Sequence, residues 1–142
     1  MPLPESIHLE VVTPDKRVVS EVVDAVVLPG TEGSLGVLPG HTPLLTTLGI
    51  GELTYSRGGA RRFVAIAWGF AEVLPDRVSV LAEIAERAEG IDRERAARAR
   101  DRALKRLRER TADTDFKRAQ IALQKSIIRL QISQGIGPNE PS

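Results

Sequence analysis

The stretch Ile91-Asp92-Arg93-Glu94-Arg95-Ala96 divides the chain into two parts that cannot share one kind of secondary structure. Before it, β-branched residues come in short bursts broken by glycine and proline. After it, from Asp92 to Arg110, there is neither glycine nor proline, and the strong helix formers Ala, Leu and Arg dominate. Charge divides at the same place. Residues 1–90 carry 7 basic and 12 acidic side chains, a net of −5, whereas residues 91–134 carry 13 basic and 6 acidic, a net of +7. The overall charge of +1 therefore conceals an acidic body and a basic arm suited to an anionic partner.

The body reads as strands. Residues 6–13 alternate in polarity and stop at Pro14-Asp15; Val18-Val19 and then Val22 to Leu28 follow, stopping at Pro29-Gly30. Leu44 to Leu48, Ile50 to Tyr55, Phe63 to Trp68, Phe70 to Leu74 and Val78 to Ile84 continue the series. Gly49, Gly51, Arg57-Gly58-Gly59, Gly69 and Pro75-Asp76 separate them. Short, evenly spaced strands predict an antiparallel sandwich or barrel, and the lack of helix–strand alternation disfavours a doubly wound sheet.

The arm reads as a helical hairpin. Asp92 is placed to cap the first helix, with Ile91 before it to pack back on Ala96. Residues 111–115 offer several cap formers and predict a turn; a second helix is expected from about Phe116 to Gln134, closed by Gly135. The organisation expected is a body over 1–88, an arm over 89–134 and a loose tail over 135–142. The second helix has two apolar stripes. Phe116, Ala119, Leu123, Ile127 and Leu130 fall on one face, while Ile121, Ile128 and Ile132 fall opposite. Two explanations stand: burial on both sides in one structure, or an arm that exchanges one packing partner for another.

Several function classes are excluded or disfavoured. The 142 residues make one compact domain with an appendage, and the absence of Cys removes disulfides, thiolate metal sites and Cys nucleophiles. The start Met1-Pro2-Leu3-Pro4-Glu5 does not resemble a secretory signal, and no apolar run reaches the ~20 residues of a membrane helix. No phosphate-binding loop, dinucleotide fingerprint or HExxH motif occurs. His8 and His41, the only histidines, are too few for a catalytic zinc site, so neither a metal centre nor self-sufficient catalysis is expected.

Anion binding is the chemistry that the spacing does offer. Lys125 and Arg129 lie four apart on the second helix and share a face, and Arg95 on the first helix could converge with them. Such cations hold a polyphosphate by charge-assisted hydrogen bonds, while Asp92 and Glu86 could accept from a base or ribose. The plainer alternative is that Asp92 is only a cap and the arginines form a solvated face. A second candidate is the loop Gly33-Ser34-Leu35-Gly36-Val37-Leu38-Pro39-Gly40-His41-Thr42-Pro43-Leu44. So many turn formers specify an ordered loop, the kind of exposed surface at which a partner docks.

Four motifs in order, Gly33-x-Leu35-Gly36-x-Leu38-Pro39-Gly40-His41-x-Pro43-Leu44, Gly69-Phe70-x-Glu72-Val73, Ile91-Asp92-x-x-Arg95-Ala96 and Asp115-Phe116-Lys117-Arg118-Ala119, make the chain resemble the epsilon subunits of bacterial and chloroplast F-type ATP synthases. The resemblance implies an antiparallel β-sandwich of about ten strands followed by a helical hairpin. It implies a non-catalytic rotor subunit of a proton-translocating complex, linking the gamma subunit to the c-ring, with no required cofactor. Glu32, Ser34 and His41 would belong to the loop facing the c-ring. The hairpin would lie folded on the sandwich or extend into the catalytic hexamer of alpha and beta subunits, where it would obstruct rotation and inhibit ATP hydrolysis. Arg98, Arg102 and Arg106 would then face acidic segments of the beta subunits. ATP as a regulatory ligand of the folded hairpin would be held by Glu86, Ile91, Asp92, Arg95, Lys125 and Arg129. Lys125 departs from the arginine of ATP-binding members and loses bidentate geometry. Ser34, where some members have an acidic residue, and Trp68, where a glycine is usual, depart as well. Membrane association would come only through the complex, on the cytoplasmic face of the bacterial plasma membrane or the stromal face of thylakoids.

The rival reading is a small RNA-binding module that uses the arginine-rich hairpin. Single-strand binders interleave aromatic residues with charge. With only Phe116 in the arm to stack on a base, nucleic acid is not an expected partner.

Overall fold

The computed structural model describes residues 3–109 and 113–134. The segments expected as the start of the inter-helix turn (111–112) and as the tail (135–142) lie outside the described residues. Seven strands, β1 (Ile7–Val12), β2 (Arg17–Val23), β3 (Ala25–Gly30), β4 (Gly33–Val37), β5 (Leu44–Arg57), β6 (Ala60–Leu74) and β7 (Arg77–Arg87), are followed by a 3-10 turn at Ala88–Gly90 and helices α1 (Arg93–Glu109) and α2 (Asp113–Ser133). The strands form one hydrogen-bonded series in the order β2-β1-β7-β6-β5-β3-β4.

There are seven strands rather than about ten because Gly49 and Gly69 do not end the strands in which they lie. β5 and β6, of 14 and 15 residues, each run through what reads in sequence as two strands. All pairings are antiparallel except β1 with β7, which is parallel from His8↔Arg77 to Val12↔Leu81. The series curls on itself. Ile7, Leu9 and Val11 of β1, Val26 and Leu28 of β3 and Leu53 and Tyr55 of β5 share one buried core. Tyr55 of β5 donates a 2.7 Å hydrogen bond to Glu21 Oε2 of β2, which is not its ladder neighbour. Burial first, and then the bond to the Glu21 carboxylate, push the Tyr55 hydroxyl from 10.0 up to about 12.

β6 bends at Trp68-Gly69. Both residues have positive φ, 61° and 132°. Trp68 drops out of both ladders, while Ala67 and Gly69 stay in register with β5 and β7. A Cβ at position 69 would overlap the Leu81 carbonyl oxygen, so glycine is required there on grounds of both space and φ.

The helical hairpin packs on the body. α2 packs across β5, β6 and the 3-10 turn, and α1 rests on α2. α2 begins at Asp113, three residues before the expected Phe116, because Asp113 to Asp115 continue the helix instead of forming a turn. Both apolar stripes of α2 are used. Ile128 and Ile132 join a small second core with Phe63, Ala65, Ala88 and Ile91 of the body. On the side of α1, Ala119 and Ser126 are buried together with Ala96 and Ala103, so small residues let the helices approach closely. Ile127 remains 45% exposed.

Candidate functional site

The 3-10 turn and Asp92 set the direction in which the arm leaves the body. The Ile91 N–H donates to the Ala88 carbonyl at 3.3 Å, and Asp92 Oδ1 accepts from the Arg95 N–H at 3.1 Å, which makes Asp92 a true helix cap. Arg93 Nη2 reaches the Ser133 carbonyl at 2.7 Å and ties the start of α1 to the end of α2. One turn below, Arg129 Nε donates to Glu86 Oε1 of β7 at 2.9 Å, and its Nη2 donates to the same oxygen. A groove of about 480 Å³ lies between these contacts, bordered by Glu86, Ile91, Asp92, Arg95, Arg102 and Arg129. Gly90, Ala96 and Ala99 leave it open because their side chains are small. Its volume is in the range of small-molecule sites. Three guanidinium groups and two carboxylates on its walls can take a polyphosphate at one end and hydrogen-bonding edges at the other.

Five of the six residues expected around a nucleotide, Glu86, Ile91, Asp92, Arg95 and Arg129, therefore meet in one groove. Lys125 does not line it. Lys125 lies beside Arg129 in a narrow cleft with Ile50, Ala65 and Ala67, with its Nζ 4.5 Å from the centre of the Trp68 ring. Arg102, expected to face the beta subunits when the arm is extended, lines the groove with the arm folded. Its spacing from Asp92, Arg95 and Ala99 puts all four on one helical face, a signal that was present in the sequence. Of the remaining basic face, Arg98 pairs loosely with Glu94 at 3.9 Å, and Arg106 is exposed in the last turn of α1.

A wider trough of about 720 Å³ lies beyond Glu86, bordered by Lys16, Arg17, Arg62 and Arg87. Its cations face carboxylates of the same body: Arg87 meets Glu89 at 3.3 Å and Glu21 at 3.9 Å, and Arg17 meets Glu10 at 3.8 Å. It is lined by strands of the body and by Glu89 and Gly90 of the 3-10 turn, whereas the smaller groove also needs α1 and α2.

The loop region is ordered by the backbone. Thr31 N–H donates to the Thr47 carbonyl at 3.1 Å, and the Thr31 and Thr47 hydroxyls meet at 2.8 Å. Gly40 N–H donates to the Pro75 carbonyl at 2.7 Å, and His41 N–H to the Leu38 carbonyl at 3.2 Å. Among the described residues the His41 ring bonds its neighbour, Nδ1 to the Thr42 carbonyl oxygen at 2.7 Å. Glu32 lies at the β3–β4 turn and Ser34 opposite Pro29 in β4, and both are exposed. Leu38 and Leu45 are exposed by 65% and 68%, an apolar end that loop composition alone does not reveal.

Known families account for both parts of the chain. The model for the ATP synthase, Delta/Epsilon chain, beta-sandwich domain matches residues 6–88, and that for the long alpha-helix domain matches residues 89–134. The chain belongs to the ATP synthase delta/epsilon family. It is 53% identical to the ATP synthase epsilon chain of Syntrophobacter fumaroxidans over 130 residues, covering 92% of this chain and 97% of that protein. With the epsilon chain of Nitratidesulfovibrio vulgaris (strain DP4) it shares 52% identity over 128 residues, covering 90% and 96%. Its fold matches a chain in the cryo-EM structure of the Euglena gracilis mitochondrial ATP synthase, OSCP/F1/c-ring, with a TM-score of 0.80 and 27% identity, over 95% of this chain and 84% of that one. Family membership makes it a stalk subunit of structural and regulatory kind, not a catalytic one. Among the described residues no helix is long and apolar enough to cross a membrane.

Proposed function

We propose that this chain is a rotor subunit of a proton-translocating ATP synthase, joining the gamma subunit to the c-ring on the cytoplasmic side of the membrane. In this reading the hairpin is a brake. Folded on the sandwich it leaves rotation free; extended among the alpha and beta subunits, with Arg98, Arg102 and Arg106 towards acidic partners, it inhibits ATP hydrolysis. ATP favours the folded form by occupying the groove between arm and body. One observation carries the regulatory part: Glu86 comes from β7, whereas Asp92, Arg95, Arg102 and Arg129 come from the arm, so the groove is complete only when the arm is folded. A ligand restricted to that state stabilises it by mass action.

The test is reconstitution of the complex with the full chain or with a chain ending at Gly90. Removal of the arm is expected to raise ATP hydrolysis, and ATP is expected to relieve inhibition only in the full-length complex. Unchanged hydrolysis on removal of the arm would overturn the brake, and calorimetric titration without heat at millimolar ATP would overturn the nucleotide site.

A further inference from the structure

Lys125 is the one expected phosphate ligand that the groove leaves out, and its surroundings suggest another role. Its ammonium lies 4.5 Å from the centre of the Trp68 ring, inside the roughly 6 Å over which a cation is attracted to an aromatic face. Trp68 is an unusual residue to find there. It is held at φ 61°, a left-handed conformation that is strained for a bulky side chain, and it is absent from both ladders at the bend of β6. Trp68 therefore belongs to the sheet by sequence and meets α2 by side chain. Glu86, which borders the same cleft as Lys125, is already taken by Arg129. The Lys125 charge is set against the indole.

We propose that Trp68 and Lys125 form a clasp holding α2 on the sandwich, so that Lys125 is a positioning residue of the arm and not a phosphate ligand. The role of the clasp in regulation rests on the mobile-arm reading given above. Lys125 and Arg129 are one turn apart on α2, and each meets the body, one on β6 and the other on β7. Two anchors on successive turns stop the helix from rolling as well as from lifting. Arg129 is thereby kept pointing into the groove. Opening the arm must give up the cation–π contact and expose more of the indole in the same step, so the clasp shifts the equilibrium towards the folded state.

Hydrogen exchange on the full-length chain tests the clasp with five proteins: wild type, Trp68→Gly, Lys125→Met, the double variant and Lys125→Arg. Glycine tolerates φ 61°, so Trp68→Gly relieves backbone strain while it removes the ring. The expected result is exchange in residues 113–133 that is roughly threefold to tenfold faster in Trp68→Gly and in Lys125→Met. The double variant should be no faster than the singles, β5 to β7 should keep their protection, and Lys125→Arg should restore it in α2. Unchanged exchange in Lys125→Met, or single effects that multiply in the double variant, would overturn the clasp alone. Exchange of α2 and the sandwich at one common rate in every protein would show an arm that never opens by itself, overturning the mobile arm and the clasp's regulatory role together.

Discussion

Arg129 and Glu86 join arm and body through two hydrogen bonds onto one carboxylate oxygen, Glu86 Oε1. Their side chains are 27% and 34% exposed, so the pair is partly sheltered from water. Glu86→Gln keeps an acceptor and removes the charge, and should weaken docking of the arm by about 1 kcal/mol. Hydrogen exchange across α2 should then quicken by roughly fivefold, with the sandwich strands unaffected.

The proposed nucleotide groove gives a graded series. Arg95→Ala and Arg102→Ala each remove a cation that can face a phosphate, and each should weaken ATP binding by roughly tenfold or more. Asp92→Asn should weaken it less, because an amide oxygen still caps the Arg95 N–H. Calorimetric titration of the isolated chain checks the order.

Gly69→Ala places a methyl group on the Leu81 carbonyl at φ 132°, where the obstructing atoms are backbone and cannot swing aside. The loss of sandwich stability should be about 3 kcal/mol or more, read as a lower urea midpoint. Gly58→Ala is the control. Its φ is 57° with open space around the added carbon, so the cost should stay near 1 kcal/mol.

Tyr55 predicts a pH dependence on the alkaline side. Its folded value of about 12 lies above the ordinary 10.0, so the native state keeps a proton that the unfolded chain gives up. The stability from this residue is complete below pH 10 and declines as pH rises towards 12. Tyr55→Phe should flatten that decline in urea titrations between those pH values.

The first core draws all its buried members from Ile7 to Ala85, so a chain ending at Gly90 should still fold. Its circular dichroism should be that of a β-sheet with a cooperative thermal transition. Loss of α2 uncovers Phe63 and Ala65, and solubility should fall accordingly.

Much of this was legible in the sequence, for identifiable reasons. Pro14-Asp15, Gly58-Gly59 and Pro75-Asp76 mark real turns because such residues fit turn backbone conformations. Asp92 reads as a cap because a short carboxylate before a helix has N–H groups within reach. What failed to show was long-range. Gly49 and Gly69 look like strand ends, yet ladders on both sides carry β5 and β6 past them. The parallel pairing of β1 with β7 joins segments at opposite ends of the body, which no local pattern encodes. Arg102 could have been assigned to the groove from helical spacing. The turn of Lys125 away from it could not, because that depends on a tryptophan 57 positions earlier in the chain.

β5 and β6 also have a mechanical consequence. β5 carries the exposed Leu44 and Leu45 at its start and, from Ile50 to Thr54 opposite Ala67 to Phe63 of β6, the seat of the hairpin. The apolar tip and the arm's cradle are thus successive stretches of the same two paired strands. In the proposed rotor, torque applied at the tip would reach the cradle and its passenger along these paired strands. It would not pry them apart, so release of the arm would be driven from the seat itself.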